Sequence, residues 1–161
     1  MPSLQRQLVN LDILCDDLGL LDAHDYASAA HRKLLAQYQS ILKQLQIAAL
    51  DVTEAQYEAT LRNTEFSRLL GSKRMIGVHI RLIEHVLEHW AASEKVEQIL
   101  ASEFDEKADR RLNLLQTKAV RARSLIKAVA SAMGQEDYQR FAAVLGLAHP
   151  QWQWRALVGS N

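Results

Sequence analysis

His31 and His79 fall inside stripes of apolar residues that repeat at helical spacing. Ala27, His31, Leu34, Tyr38, Ile41, Leu45 and Ala48 step four, three, four, three along one segment. Ile76, Ile80, Ile83, Leu87 and Trp90 do the same along another, with His79 among them. A polar ring placed in an apolar seam must find a hydrogen-bond partner or lose free energy. If the segment between the two runs as one full antiparallel helix, both histidines reach the same height. Arg62 and Glu65, late in that segment, then join them in a buried polar layer. Such a layer is a candidate for a small buried site or a pH-sensitive layer, because imidazole titrates near neutrality. The simpler reading has each ring hydrogen-bonded to a neighbour.

His79 belongs to a second pattern. Arg74-Met75-Ile76-Gly77-Val78-His79 places an arginine five residues before a histidine on one predicted helix. This resembles, over six residues, the Arg-x4–6-His signature of HEPN-family ribonucleases, which are small helical bundles. The resemblance implies a metal-independent ribonuclease whose Arg74 and His79 meet those of a second protomer in a dimer cleft. The histidine would take the proton of a 2′-hydroxyl and the arginine would stabilise the phosphorane. A third pattern is His85-Val86-Leu87-Glu88-His89. Its histidines stand four apart, the spacing that lets two imidazoles on one helix face share a metal. Its five residues also resemble the His-x-x-Glu-His pattern of inverzincin proteases. The alternative is a solvated helix face with local contacts between His85, His89 and their glutamates. No Glu-x-x-His pair occurs, which excludes the usual di-iron bundle site. No glycine-rich phosphate loop or Cys-His zinc set occurs either, so no cofactor is expected.

Charge is polarised along the chain. Arg110, Lys118 and Arg121 fall close together on a helical wheel, within a stretch rich in lysine and arginine. Asp12, Asp16, Asp17, Asp22 and Asp25 cluster near the N-terminus. The basic row has two possible uses: pairing with acidic groups inside the molecule, in another subunit or in a partner, or contacting nucleic-acid phosphates. Trp152 and Trp154 near the C-terminus are candidate anchors for the bundle or for a partner, a common use of tryptophan at interfaces.

The elements that would position these residues are all helical. Of 161 residues only 6 are Gly and 2 Pro, and helix formers such as Leu, Ala, Gln, Glu, Lys and Arg dominate. Ser3 is placed to cap a first helix ending near Gly19, and Asp22 or Asp25 a second reaching about Ala49. Thr53 and Gln56 form a capping-box pattern for a third helix running to Leu70. Ser72 opens a fourth, to about Trp90–Ala92 or beyond. A fifth helix, about residues 103–133, carries the seam Ala108, Leu112, Leu115, Ala119, Ala122, Ile126, Val129 and Met133. A sixth spans Glu136 to Leu145. The expected fold is an all-α, antiparallel up-down bundle of five to six helices over residues 1–147. Residues 148–161 form a tail docking on the bundle or on a partner. A helix as long as the fifth tends to outrun its own bundle.

With 19 basic and 19 acidic residues the formal net charge is zero. That argues against a dedicated nucleic-acid coat or membrane-surface protein and favours association with a partner or a second copy. The single Cys15 and the absence of an apolar leader-like or membrane-spanning run predict a cytoplasmic protein. The function expected from these features is protein–protein interaction, as an adaptor, assembly, immunity or regulatory factor without catalysis. A ribonuclease using Arg74 and His79 is the alternative. Nucleic-acid binding through the basic helix is a third reading.

Overall fold

Ser3 caps the first helix as its position predicts, its Oγ accepting from the Arg6 N–H at 3.2 Å. The computed structural model describes residues 3–102 and 105–159. Among them are seven α-helices and no strand. They are α1 (Leu4–Gly19), α2 (Ala29–Ala49), α3 (Glu54–Leu61), α4 (Lys73–Leu100), α5 (Glu106–Met133), α6 (Gln135–Leu145) and α7 (Trp154–Val158). Short 3₁₀ turns stand at Ala23–Asp25, Glu65–Ser67 and Pro150–Trp152. The protein is thus an all-α bundle, and none of its described helices is long and apolar enough to cross a membrane.

The caps explain most boundaries. Asp22 caps the 3₁₀ turn rather than α2, and Ser28 opens α2 instead, accepting from His31 N–H at 3.2 Å. Thr53 and Gln56 form the anticipated reciprocal capping box at α3. Asp105 accepts from Ala108 N–H at 2.7 Å and starts α5. Glu103, the expected start of that helix, lies outside the described residues. Gly146 ends α6 in the left-handed conformation at φ 72°, which a β-carbon disfavours.

The third helix departs from expectation, and the topology follows from it. α3 stops at Leu61 instead of continuing to Leu70. Asn63 and Thr64 are poor helix formers, and the Thr64 hydroxyl donates to the Leu61 carbonyl at 2.8 Å, ending the helix. Eight residues of helix span about 12 Å, against about 31 Å for the 21 of α2. α3 therefore cannot carry the chain back along α2. α4 begins beside the end of α2, where Gly77 lies against the Gln46 side chain. It then runs antiparallel to α2: Gln39 donates to the Ile80 carbonyl at 3.0 Å, and Arg32 pairs with Glu94.

The main core takes the leucine row of α1 (Leu4, Leu8, Leu11, Leu14, Leu18) and Leu35, Tyr38, Leu42 and Leu45 of α2. Each such leucine contributes about 1.5–3 kcal/mol when fully buried. α4 enters this core from Ile76 to Trp90, but α5 only with its C-terminal part, where Ile126 and Ala130 are buried and Val129 and Met133 pack against the core. Ile99, Leu112 and Ala122 are buried outside it, where α4 and α5 pair with each other. The two 28-residue helices thus extend as a hairpin beyond the body, as the length of the fifth helix suggested. The buried stripe of α4 is also rotated from the anticipated one. His79, Leu82 and Val86 are enclosed, whereas Ile80 and Leu87 are half-buried.

The tail docks on the bundle. Trp152 is enclosed: its Nε1–H donates to Tyr26 Oη, and its carbonyl accepts from Tyr138. Trp154 Nε1–H donates to the Ala130 carbonyl at 3.1 Å. Replacing Trp152 by alanine should lower the unfolding free energy by about 3–5 kcal/mol in urea titrations. A loss below about 1 kcal/mol would show that the tail is not part of the cooperative unit.

Candidate functional site

The two histidines occupy different layers, correcting the expected shared one. Because α2 and α4 are antiparallel, His31 packs against Trp90, with ring centroids 5.0 Å apart. Trp90 is eleven residues, roughly 16 Å of helix, beyond His79 on α4. His31 is enclosed and fully bonded. Its Nδ1 accepts from Ala27 N–H at 3.1 Å, so its Nε2 carries the proton and donates to the Leu145 carbonyl at 2.7 Å. Arg62 and Glu65 are exposed, since α3 ends before them, and join neither histidine.

His79 is enclosed against Phe141, centroids 4.4 Å apart. Neither ring nitrogen has a hydrogen-bond partner among the described residues. Burial alone lowers its pKa to about 3. Arg74 is exposed on the first turn of α4. Five residues turn a helix by about 140°, so the pair points to different faces. The structure therefore does not bring Arg74 and His79 together, and it leaves His79 no solvent-facing nitrogen to act as a base.

His85 and His89 are half-buried. His89 Nδ1 contacts the Ala119 carbonyl at 3.1 Å, tying α4 to α5, and burial lowers its pKa despite that bond. His85 Nδ1 lies 3.7 Å from Glu88. Among the described residues no group of three or more His, Cys, Asp or Glu side chains gathers in metal-binding geometry. Cys15 is half-buried beside Asp12, Asp16 and Glu65. Burial first, and then those carboxylates, pushes its thiol up to about 12, so little thiolate exists at neutral pH.

Trp152 and Trp154 were candidates for partner contact. Both are engaged by the bundle, and Trp152 offers no surface to a partner because Tyr26, Tyr138 and Arg123 enclose it. Lys118 and Arg121 fare differently. They line a groove between α4 and α5, together with Lys95 and Arg111. Ile99, Leu114 and Leu115 supply its apolar part. The groove continues along the hairpin past Ala92 to His85, Glu88 and Leu125. Arg110 is exposed but does not line it; Arg111 takes that place. On α5 the groove side reads Arg111, Leu114, Lys118, Arg121, Leu125, stepping three, four, three, four. That row is a second stripe beside the core seam, and its spacing was readable in the chain. Lys95 was not readable, because it reaches the groove only through the pairing of α4 with α5. Among the described residues none of the four cations forms an ion pair.

An all-α bundle with a two-helix groove of this kind defines an architecture and not an activity. No family model, curated protein or solved structure matches the chain.

His79 gives a pH dependence with a definite sign. The unfolded chain binds a proton at this ring below about 6.5. The folded chain does not until about pH 3. Stability from this group is therefore complete above the unfolded pKa and falls with pH across that window, by about 1.4 kcal/mol per unit. Urea titrations of wild type and His79→Leu at a series of pH values should diverge by that slope, the variant being less acid-sensitive. Parallel profiles would mean that the ring reaches solvent.

Proposed function

We propose that this protein is a protein–protein interaction module that binds an acidic amphipathic helix in the α4–α5 groove. The observation that carries the reading is the groove itself. Lys95, Arg111, Lys118 and Arg121 surround apolar positions of which Leu114 is 71% exposed. Two parallel ridges with an apolar floor suit a third helix laid along them, its apolar side chains at i, i+3, i+4 and i+7. The cations select an acidic partner and steer its approach. The stripe from Arg111 to Leu125 is roughly 21 Å long, about four helical turns. Such a module acts as an adaptor, assembly, immunity or regulatory factor and needs no cofactor. A lone cysteine, Cys15, suits a reducing, cytoplasmic setting.

The ribonuclease reading requires His79 to reach a phosphodiester, and the enclosed ring does not support it. Nucleic-acid binding has one favourable observation, the same four cations, and one experiment weighs it against a protein partner. A labelled amphipathic peptide with a leucine stripe flanked by aspartate and glutamate should bind saturably in fluorescence anisotropy. Binding should weaken with salt and fall roughly tenfold or more in Leu114→Glu. A lysine-flanked version of the peptide should not bind. Retention of a nucleic-acid duplex in place of the acidic peptide, lost in Lys118→Glu with Arg121→Glu, would transfer the groove to phosphate recognition. Indifference of peptide binding to Leu114→Glu would remove the groove reading.

A further inference from the structure

The outer face of α1 has the chemistry that the groove lacks. α1 buries Leu4, Leu8, Leu11, Leu14 and Leu18 against the bundle. On the opposite side it presents Val9, Ile13 and, at its C-terminal cap, Leu20, exposed by 58%, 57% and 83%. These three lie within about 40° of one another on a helical wheel. They are the apolar stripe of an amphipathic helix turned toward solvent, which is the reverse of the usual arrangement. Asp12 and Asp16 flank the stripe on one side, and Asp17 and Arg6 on the other. Asp12, Asp16 and Asp17 are exposed, and among the described residues none of them forms an ion pair.

The groove of one molecule and the α1 of another therefore match in three respects. The first is charge: three carboxylates against one cation, Arg6, on α1 face four cations against one carboxylate, Glu88, in the groove. The second is apolar surface: Val9, Ile13 and Leu20 oppose Leu114, Leu115 and Leu125. The third is length: the 16 residues of α1 span about 24 Å, close to the groove's 21 Å. Within one molecule this pairing is not made, because α1 packs on α2, α3 and α6. Zero net charge means that two copies approach without overall repulsion, while each carries both signs on separate faces.

We infer that the occupant of the groove is α1 of a second copy of this chain, so that the protein self-associates through two different surfaces. This rests on the groove being a helix-docking site. Two copies dock reciprocally, each laying the outer face of its α1 in the other's groove, or each copy joins the next in a ring or filament; either way one contact joins the groove of one chain to α1 of another.

The consequence is asymmetric complementation, tested with the full chain by sedimentation velocity. Wild type should form dimers or larger assemblies at low salt and dissociate at high salt. Ile13→Glu destroys the α1 surface and keeps the groove; Leu114→Glu does the reverse. Both positions are largely exposed, so circular dichroism should show native helicity in each variant. Each alone should sediment as a single chain. Mixed, they should form a 1:1 pair and nothing larger, since one intact groove meets one intact α1. Failure of the mixture to pair, or assembly of either variant like wild type, overturns the inference. If wild type stays a single chain at every concentration while the acidic peptide still occupies the groove, self-association falls and the groove reading stands. If the peptide also fails to bind, both fall.

Discussion

His31 is the polar joint on which the body of the bundle depends. Its two ring nitrogens are committed in opposite directions, one accepting from Ala27 N–H and the other donating to the Leu145 carbonyl. The α1–α2 connection, α2 and the end of α6 are thereby held at one point. Ala27 has a positive φ of 58°, uncommon for alanine, and its N–H is bonded to this ring. Gly146 passes so close that a β-carbon there would sit 3.3 Å from His31 Nε2. Aromatic contacts continue outward to Trp90 and Tyr26, whose hydroxyl accepts from the Trp152 indole and from Gln151. The α1–α2 connection, α2, α4, α6 and the Pro150–Trp152 turn thus meet within two contacts of this imidazole. A fully satisfied buried polar group of this kind specifies one arrangement of helices more sharply than leucine packing does.

The hairpin of α4 and α5 stands outside that organisation. Its inner half is gripped by the body through Trp90, Ile126, Ala130 and the Arg123 bond to the Gln151 carbonyl at 3.0 Å. Among the described residues its outer half has only its own two helices to bury Ile99 and Leu112. Two helices cover each other on one side and leave flanking grooves, and α2, α6 and α7 fill the others only as far as the body reaches. The basic groove is thus a consequence of unequal lengths: 28-residue helices set against neighbours of 5 to 21.

Much of this was legible in the chain. Ser3, Thr53 with Gln56, Gly134 and Gly146 mark helix ends by local chemistry, and each serves as an end in the structure. Periodicity placed the inward face of α5, where Leu112, Ala122 and Ile126 are buried, though not Ala130. It was less accurate on α2 and α4, where Leu34, Ile41, Ile80 and Leu87 are half-buried although as apolar as the enclosed Leu35, Leu42, Leu82 and Val86 beside them. A stripe of leucine and isoleucine wider than the contact face does not say which edge faces inward. For α3 the error had larger consequences. A capping box and apolar residues continuing to Leu70 suggested a full helix, yet two weak helix formers at Asn63 and Thr64 ended it. That one stop reversed the direction of α4 relative to α2 and separated His31 from His79.

The sequence by itself determined the helical class, most helix ends, and the existence of two histidines in apolar seams and a basic row on α5. These follow from interactions within a few residues along the chain, whose geometry the helix repeat dictates. Only the tertiary structure decided what each of those residues does. It enclosed His79 against Phe141, turned His31 into a joint, withdrew Trp152 into the bundle, and set Lys95 opposite Arg111, Lys118 and Arg121. Those outcomes depend on contacts between residues far apart in the chain. No local spacing encodes them, because the direction of each helix rests on how far the preceding connection can reach.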